Sequence, residues 1–390
     1  MPYVLKTVKP RVFSSKRINA FLTNKQISVR KGTIRKGATH SFSLTKFYKD
    51  NEVPNSIVNE YCEKRQILER QINTLSCAPD IPKEYNHFTI PKKTGGRRSI
   101  DEPSYSLRTR QERIKRRIID DVLPLAHTAA YAYRRGRSTK HCRMRHQLNK
   151  SKWFLHLDVK NFFGSLDKEF VMRMMCMVYP YSELSERRKE KLASIMDYCF
   201  LNNGLPQGTV ISPALSNLCM VPFDCEISKL LAEKGYVYTR YADDIEISRK
   251  KDFDPHEPIG IVYEVLDMLD APLVLKQEKT HYGSIAGRNW GLGLMLNKDN
   301  KITIGHEKHK KLKAELFNLL MDAKNNKDNA DSFEDRARKL QGKLSYFEYI
   351  EPSYGKHVIY RLEKKVGITV KEVISAALSE RQRKSERNNI

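Results

Sequence analysis

Apolar residues recur at helical spacing through Val53–Leu75, where Ile57, Tyr61, Ile67, Leu68 and Ile72 mark one face and predict a first helix. Phe88 and Ile90 lead into Lys92-Lys93-Thr94-Gly95-Gly96-Arg97-Arg98, and Ile100 resumes the apolar pattern. With Gly95-Gly96 as a tight turn, Tyr85–Ile100 reads as a pair of strands. Ser106–Leu123 reads as an amphipathic helix with a strongly basic face. Trp153-Phe154-Leu155-His156-Leu157-Asp158-Val159 has the pattern of a mostly buried strand that runs into an acid. Asp167 is placed to cap a helix carrying Phe170, Val171, Met174 and Met175 on its apolar side. Ser212-Pro213 combines a capping hydroxyl with a proline in the first turn. The helix it opens is expected to run to Lys234, kinked at Pro222 and ended by Gly235. Tyr236–Tyr241 and Ile245–Ser248 read as two short strands about a tight turn. After Lys298 the pattern turns helical, with segments at Glu307–Met321, Phe333–Phe347 and Lys356–Lys365.

This order divides the chain into an N-terminal arm (1–52), a mixed basic region (53–152), an α/β core (153–297) and a helical C-terminal part (298–390). Charge adds a partner to that outline. The 390 residues hold 71 Lys and Arg against 46 Asp and Glu, a formal net charge of +25. Such an excess repels itself, and a polyanion would offset the repulsion. Nucleic acid is the leading candidate, because phosphate contacts by Lys and Arg release counterions. An anionic membrane surface is the other candidate. The arm is the most one-sided segment, with twelve Lys and Arg before its first acid, Asp50. There is no apolar run of about 18 residues and no N-terminal apolar signal, so the expectation is a cytoplasmic chain without a membrane partner. Seven cysteines, an odd number without a Cys-x-x-Cys pair, argue against a disulfide framework or structural zinc.

Within the core, Tyr241-Ala242-Asp243-Asp244 sets two adjacent acids at a hairpin tip, where they repel each other unless a cation neutralises them. Alone, the pair reads equally well as a surface turn. Its flanks are apolar, however, and the strand Leu155–Asp158 also delivers a carboxylate at its end. An unpaired buried charge is expensive, so that carboxylate needs a partner. Three carboxylates from two neighbouring strands would hold two Mg²⁺ ions. That arrangement can activate a hydroxyl and stabilise a leaving pyrophosphate. Between them, Asn203-Gly204-Leu205-Pro206-Gln207-Gly208 lets backbone approach a ligand closely ahead of a capped helix.

Three motifs in this order resemble the reverse transcriptase family: Leu157-Asp158-Val159-Lys160-Asn161-Phe162-Phe163, then Gly204–Gly208 through Ser212-Pro213, then Tyr241–Asp244. The likeness extends from roughly Phe88 to Ile350. Lys92–Ile100 resembles the fingers hairpin, Glu278-Lys279-Thr280 the fourth palm motif, Trp290–Leu294 the primer grip, and Leu340–Tyr346 a thumb helix of bacterial members. The resemblance implies an α+β right-hand polymerase with fingers, a palm whose antiparallel sheet packs on helices, and a small helical thumb. It implies RNA-directed DNA synthesis with Mg²⁺ as cofactor.

Residue by residue, Asp158, Asp243 and Asp244 correspond to the metal ligands, completed by the backbone carbonyl of Val159. Phe163 corresponds to the aromatic that blocks a ribose 2′-hydroxyl, and Gln207 to the glutamine beside the incoming nucleotide. Arg98, with Lys92 less directly, corresponds to the grip on the triphosphate, and Lys279 to a proton donor for pyrophosphate. Arg134, Arg135, Arg137, Lys140, Arg143 and Arg145 form a basic run behind Tyr131 and Tyr133 that suits template or structured RNA. The length leaves no room for an endonuclease, ribonuclease H or large protease module, which points to small bacterial members. Gly291–Leu294 lacks the Val-Thr-Gly typical of retron enzymes. The expectation is therefore a retron-like, defence-associated enzyme copying a dedicated non-coding RNA. The alternatives are a template-independent or protein-primed polymerase of abortive-infection type and a group II intron-type maturase. A homo-oligomer or a partner protein stays open.

Overall fold

The computed structural model describes residues 55–92, 95–287, 289–325 and 330–377. The basic arm 1–52 lies outside the described residues. Among the described residues two units are distinguished, one built from 55–138 and 152–282, the other from 139–151 and 283–377.

In the first unit, helix α1 (Asn55–Ser76) precedes a two-stranded antiparallel hairpin, β1 (Tyr85–Pro91) with β2 (Arg97–Pro103). Ile90 pairs with Arg98 across it, and both strands are largely exposed. The single helix expected over 106–123 is instead shorter. Helix α2 (Tyr105–Ile114) gives way to a π-helical turn over Lys115–Ile119, and Pro124 ends any continuation.

The core is a four-stranded sheet in the order β4-β5-β3-β6, where β3 is Trp153–Asp158, β4 is Val237–Tyr241, β5 is Asp244–Arg249 and β6 is His281–Ser284. β5 runs antiparallel to both β3 and β4. Phe154, Leu155, Leu157, Ile245 and Ile247 are buried in it. Helices pack against this sheet and one another. Lys168–Met175 starts at Asp167, whose side chain accepts from the Phe170 amide at 2.7 Å, as expected. Glu186–Met196 and His256–Met268 are helices that the apolar pattern alone did not single out.

The helix expected from Ser212 to Lys234 is two helices, Ser212–Cys219 and Val221–Glu233. Pro222 sits in the first turn of the second, where its missing N–H costs nothing, so it marks a restart and not a kink. The cap is also reassigned. Ser212 is already helical, and its amide donates to Thr209 Oγ1 at 3.3 Å. Gly235 closes the second helix at φ 76°, as expected.

The second unit holds helices His306–Lys324, Ala330–Ile350 and Pro352–Val366, close to the three expected, with a short ladder of Met295–Leu296 on Ile302–Thr303. Helix Thr139–Leu148 packs on that ladder. Segment 139–151 thus goes with the C-terminal part of the chain and not with the 53–152 region in which the sequence reading placed it. The buried Asn289 side chain acts as an extra strand partner, donating to the Leu296 carbonyl and accepting from its amide, each at 2.9 Å. Glu351 gathers Thr303, the Ile304 amide and His309 on one carboxylate oxygen. Among the described residues no helix is long and apolar enough to cross a membrane.

Candidate active site

Strand pairing brings the acids together. Asp158 lies directly across from Asp244, and Asp244 pairs on its other side with Tyr241. Ala242 and Asp243 form the two-residue loop between β4 and β5, with Ala242 at φ 58°, the positive value such a loop requires. The backbone ties the turn to the neighbouring strand: the Val159 amide donates to the Asp243 carbonyl at 3.1 Å. The Lys276 amide donates to the Asp158 carbonyl at 2.8 Å.

Crowding of like charge follows from this register. Partial desolvation, then the Asp243 and Asp158 charges, push the Asp244 carboxyl up to about 7, although the residue is exposed at the start of β5 and water screens part of that effect. Burial also raises Asp243, with Asp158 adding to the shift and its own backbone amide and two lysines opposing it. The lysines are Lys276, whose Nζ is 2.5 Å from Asp158 Oδ1, and Lys279, whose Nζ donates to Asp158 Oδ2 at 3.0 Å. That hydrogen bond raises Lys279 in turn. Sequence reasoning named Lys279 and missed Lys276, although both sit in Lys276-Gln277-Glu278-Lys279 and Leu275 bridges Val159.

Asp158 Oδ1 is buried against the Lys276 ammonium, and Oδ2 accepts from Lys279. A carboxylate that already gathers two cations, beside two carboxyls that resist ionisation together, is a hard-oxygen donor set suited to Mg²⁺. Among the described residues no three His, Cys, Asp or Glu side chains are already drawn together as a metal-holding group. Lysine ammonium groups carry the compensating charge instead.

The glycine-bearing loop backs onto this centre. Leu205 N donates to the Phe163 carbonyl at 2.9 Å, and the Gln207 carbonyl accepts from the Asp101 amide of β2 at 2.7 Å. One loop therefore touches both the segment after Asp158 and the exposed hairpin. Phe163 is half-buried on a short turn of helix (Phe162–Ser165), its ring 5.4 Å from that of Phe162 and 6.3 Å from that of Tyr133. Gly204 is forced by contact: a Cβ there would stand 2.4 Å from the Gly164 carbonyl oxygen. Gly204→Ala is expected to lower stability by about 1–3 kcal/mol, the usual cost of overpacking, and to displace the Phe163 backbone. Denaturant midpoints of the two proteins check this; an alanine variant as stable as the parent would contradict the close packing.

On the hairpin, Arg97 donates Nε to Thr89 Oγ1 at 2.6 Å and is tied across to β1. Arg98 is exposed, and its charge acts on Tyr133. Lys92, also exposed, closes the hairpin through its amide to the Gly96 carbonyl.

The basic run behaves less uniformly than expected. Arg143 is fully buried, its Nη2 donating to the Asn289 carbonyl at 2.8 Å and to Asn289 Oδ1 at 3.1 Å. Its assignment to nucleic-acid binding is thereby corrected, since a guanidinium enclosed in the second unit cannot reach a phosphate. Arg134 donates to the carbonyls of His127 and Ala130, and Arg137 to that of Thr128, in the first unit. Lys140 binds the Tyr349 carbonyl and lies over its ring in the second. Arg135 and Arg145 are exposed.

A residue with no sequence signal holds the acidic hairpin. Arg240, two positions before the turn, is buried and bidentate on the buried Asp224 at 2.8 and 2.7 Å. Its Nη1 reaches the Ala242 carbonyl at 3.2 Å, and Tyr238 donates to the same Asp224 at 2.7 Å.

The family described as Reverse transcriptase (RNA-dependent DNA polymerase) matches residues 90–314. Among curated proteins, the chain is 28% identical over 305 residues to the retron Ec83 reverse transcriptase of Escherichia coli, covering 74% of this chain and 89% of that protein. It is 32% identical over 178 residues to the E. coli retron Ec73 reverse transcriptase, covering 44% and 54%. To the retron Mx162 reverse transcriptase of Myxococcus xanthus it is 22% identical over 302 residues, covering 73% and 61%. Among solved structures, apo telomerase from Candida tropicalis aligns with TM-score 0.41 at 13% identity, covering 83% of this chain and 71% of that one. Telomerase from Candida albicans, in complex with a telomeric RNA fragment, aligns with TM-score 0.40 at 11% identity, covering 80% and 65%.

Proposed function

Because the chain belongs to the reverse transcriptase (RNA-dependent DNA polymerase) family, we propose that it extends DNA on a dedicated non-coding RNA in a bacterial anti-phage defence system. Its cofactor in this reading is Mg²⁺, held by Asp158, Asp243 and Asp244 with the Val159 carbonyl. The observation that carries the chemistry is the register: two central strands and one turn present three carboxylates at one end of the sheet. The curated relatives, retron reverse transcriptases by name, support a retron-like enzyme.

Bound magnesium supplies activation of the primer 3′-hydroxyl and neutralisation of charge on the triphosphate. The chain's own groups do the rest. Asp158, the turn acids and the two lysines fix the charge of the site. Arg98, exposed on the hairpin, takes triphosphate oxygens in the bidentate manner that a planar guanidinium favours, with Lys92 nearby on the same hairpin. Gln207 sits where the loop meets both the hairpin and Phe163 and positions the incoming base. Lys279, a cation at the carboxylate cluster, gives its proton to the departing pyrophosphate. Arg135 and Arg145 contribute phosphate contacts to the template, as do the more engaged Arg134, Arg137 and Lys140.

The test is to purify the protein with its bound nucleic acid, sequence that RNA, and sequence the product made with deoxynucleotides and Mg²⁺. DNA complementary to one co-purified RNA is expected. Untemplated product would favour the abortive-infection type of polymerase, and a protein carrying no specific RNA would remove the dedicated template from the proposal. Sugar choice is tested separately. Phe163→Val is expected to raise the ribonucleotide-to-deoxynucleotide ratio of kcat/KM by about tenfold or more, the scale at which pocket shape discriminates. An unchanged ratio would reject Phe163 as the gate.

A further inference from the structure

We propose that Tyr133 is a substrate-positioning residue, its ring and that of Phe163 together forming the wall against which the sugar of the incoming deoxynucleotide is set. The proposal rests on the polymerase reading above and adds to that site a residue which the basic-run pattern had assigned to RNA stacking.

Three observations converge on Tyr133. Its ring centroid is 6.3 Å from that of Phe163, tilted by 47°, so the two rings adjoin without stacking flat. The side chain is 47% exposed, a large aromatic half open to solvent beside the catalytic turn. After burial, the charges of Asp243, Tyr241, Arg98 and Arg240 act on its hydroxyl, so the acidic turn and the hairpin arginine are both within electrostatic reach.

The backbone is built to hold it there. Tyr133 has φ 57°, a left-handed value that bulky residues keep only where the surroundings impose it. The surroundings are specific. The Arg240 amide donates to the Ala129 carbonyl at 2.8 Å, and the Tyr131 amide to the Arg240 carbonyl at 2.9 Å. Asn217 Nδ2 donates to the Ala132 carbonyl at 2.7 Å, and Arg134 reaches back to the carbonyls of His127 and Ala130. The segment that carries Tyr133 is thus fastened to the strand leading into Asp243 and to the helix after the glycine loop. The ring is thereby held in one place, and the sugar of a nucleotide lying over Phe163 has Tyr133 as its second aromatic neighbour.

Single-nucleotide primer extension by Tyr133→Asn, Tyr133→Phe and the parent tests this. Asparagine tolerates the left-handed backbone, so the variant removes the ring while easing the fold. For Tyr133→Asn the expected result is a KM for deoxynucleotide raised about tenfold, a smaller change in kcat, and weaker discrimination against ribonucleotide. Tyr133→Phe, which keeps the ring, should restore most of both. A fall in kcat alone, with KM and sugar discrimination at parental values, would make Tyr133 structural and overturn the proposal. So would weakened binding of the RNA template with unchanged nucleotide KM, the signature of template stacking. A parent protein without DNA synthesis would instead remove the polymerase reading itself, which separates the two failures.

Discussion

Replacing Asp243 and Asp244 together by asparagine is expected to lower DNA synthesis about a thousand-fold or more, on a scale where each tenfold corresponds to about 1.4 kcal/mol of barrier and metal-based charge stabilisation supplies several kcal/mol. Asparagine keeps the shape of each side chain and removes its charge, so the hairpin register with Asp158 should survive. Folding should not suffer. Both carboxyls are held above their usual range by burial and by neighbouring acids, so the folded protein works against their ionisation. The neutral amides relieve that opposition, and the thermal midpoint of metal-free protein is expected to hold or rise. Primer extension and a melting curve on the same preparation check both halves. Synthesis persisting in a well-folded double variant would sink the assignment of the acidic turn to catalysis.

Arg240→Met is expected to destabilise the first unit by about 3–5 kcal/mol, the usual cost of leaving one partner of a buried ion pair alone. Arg240 and Asp224 are both almost fully enclosed, and Asp224 also receives the Tyr238 hydroxyl. Removing the guanidinium leaves the carboxylate with a single neutral donor. Asp224→Asn should cost a comparable amount, since the amide oxygen still accepts but the buried Arg240 charge loses its counter-ion. The double change Arg240→Met with Asp224→Leu should recover most of the stability, because neither charge remains uncompensated. Activity should not return with it. Arg240 Nη1 also holds the Ala242 carbonyl inside the acidic turn, and methionine cannot replace that bond. Denaturant titration and primer extension of the three variants separate the two roles. An Arg240→Met protein with the parental unfolding midpoint would show that the pair does not brace the hairpin.

Why the first of these sites was legible and the second was not follows from what each needs. Asp158, Asp243 and Asp244 stand in short patterns: acids at strand ends and in a two-residue turn, where apolar neighbours make the charge conspicuous. The hairpin, the core strands and the three C-terminal helices are visible for the same reason, since their periodicity is local. Arg240 and Asp224 lie 16 positions apart on a strand and a helix. Nothing in either neighbourhood says that a cation and an anion will be buried together. Arg143 shows the opposite error. In sequence it is one more member of a basic run; in the fold it is enclosed on Asn289, 146 positions away. Likewise the break at Met220 and the capping role of Thr209 depend on how the chain turns, where a proline or serine in the sequence admits more than one reading.

The sequence by itself determined the chemistry on offer: which strands end in carboxylates, where glycine lets backbone approach, and that a basic chain of this composition calls for a polyanionic partner. Only the tertiary structure decided which charges meet. It set Asp158 against Asp244, placed Lys276 and Lys279 on the first, enclosed Arg240 with Asp224, and turned Tyr133 towards Phe163. The physical reason is range. Turn and strand preferences act over a few residues, whereas the pairing of charges and rings depends on separations that chain topology alone brings within a few ångströms.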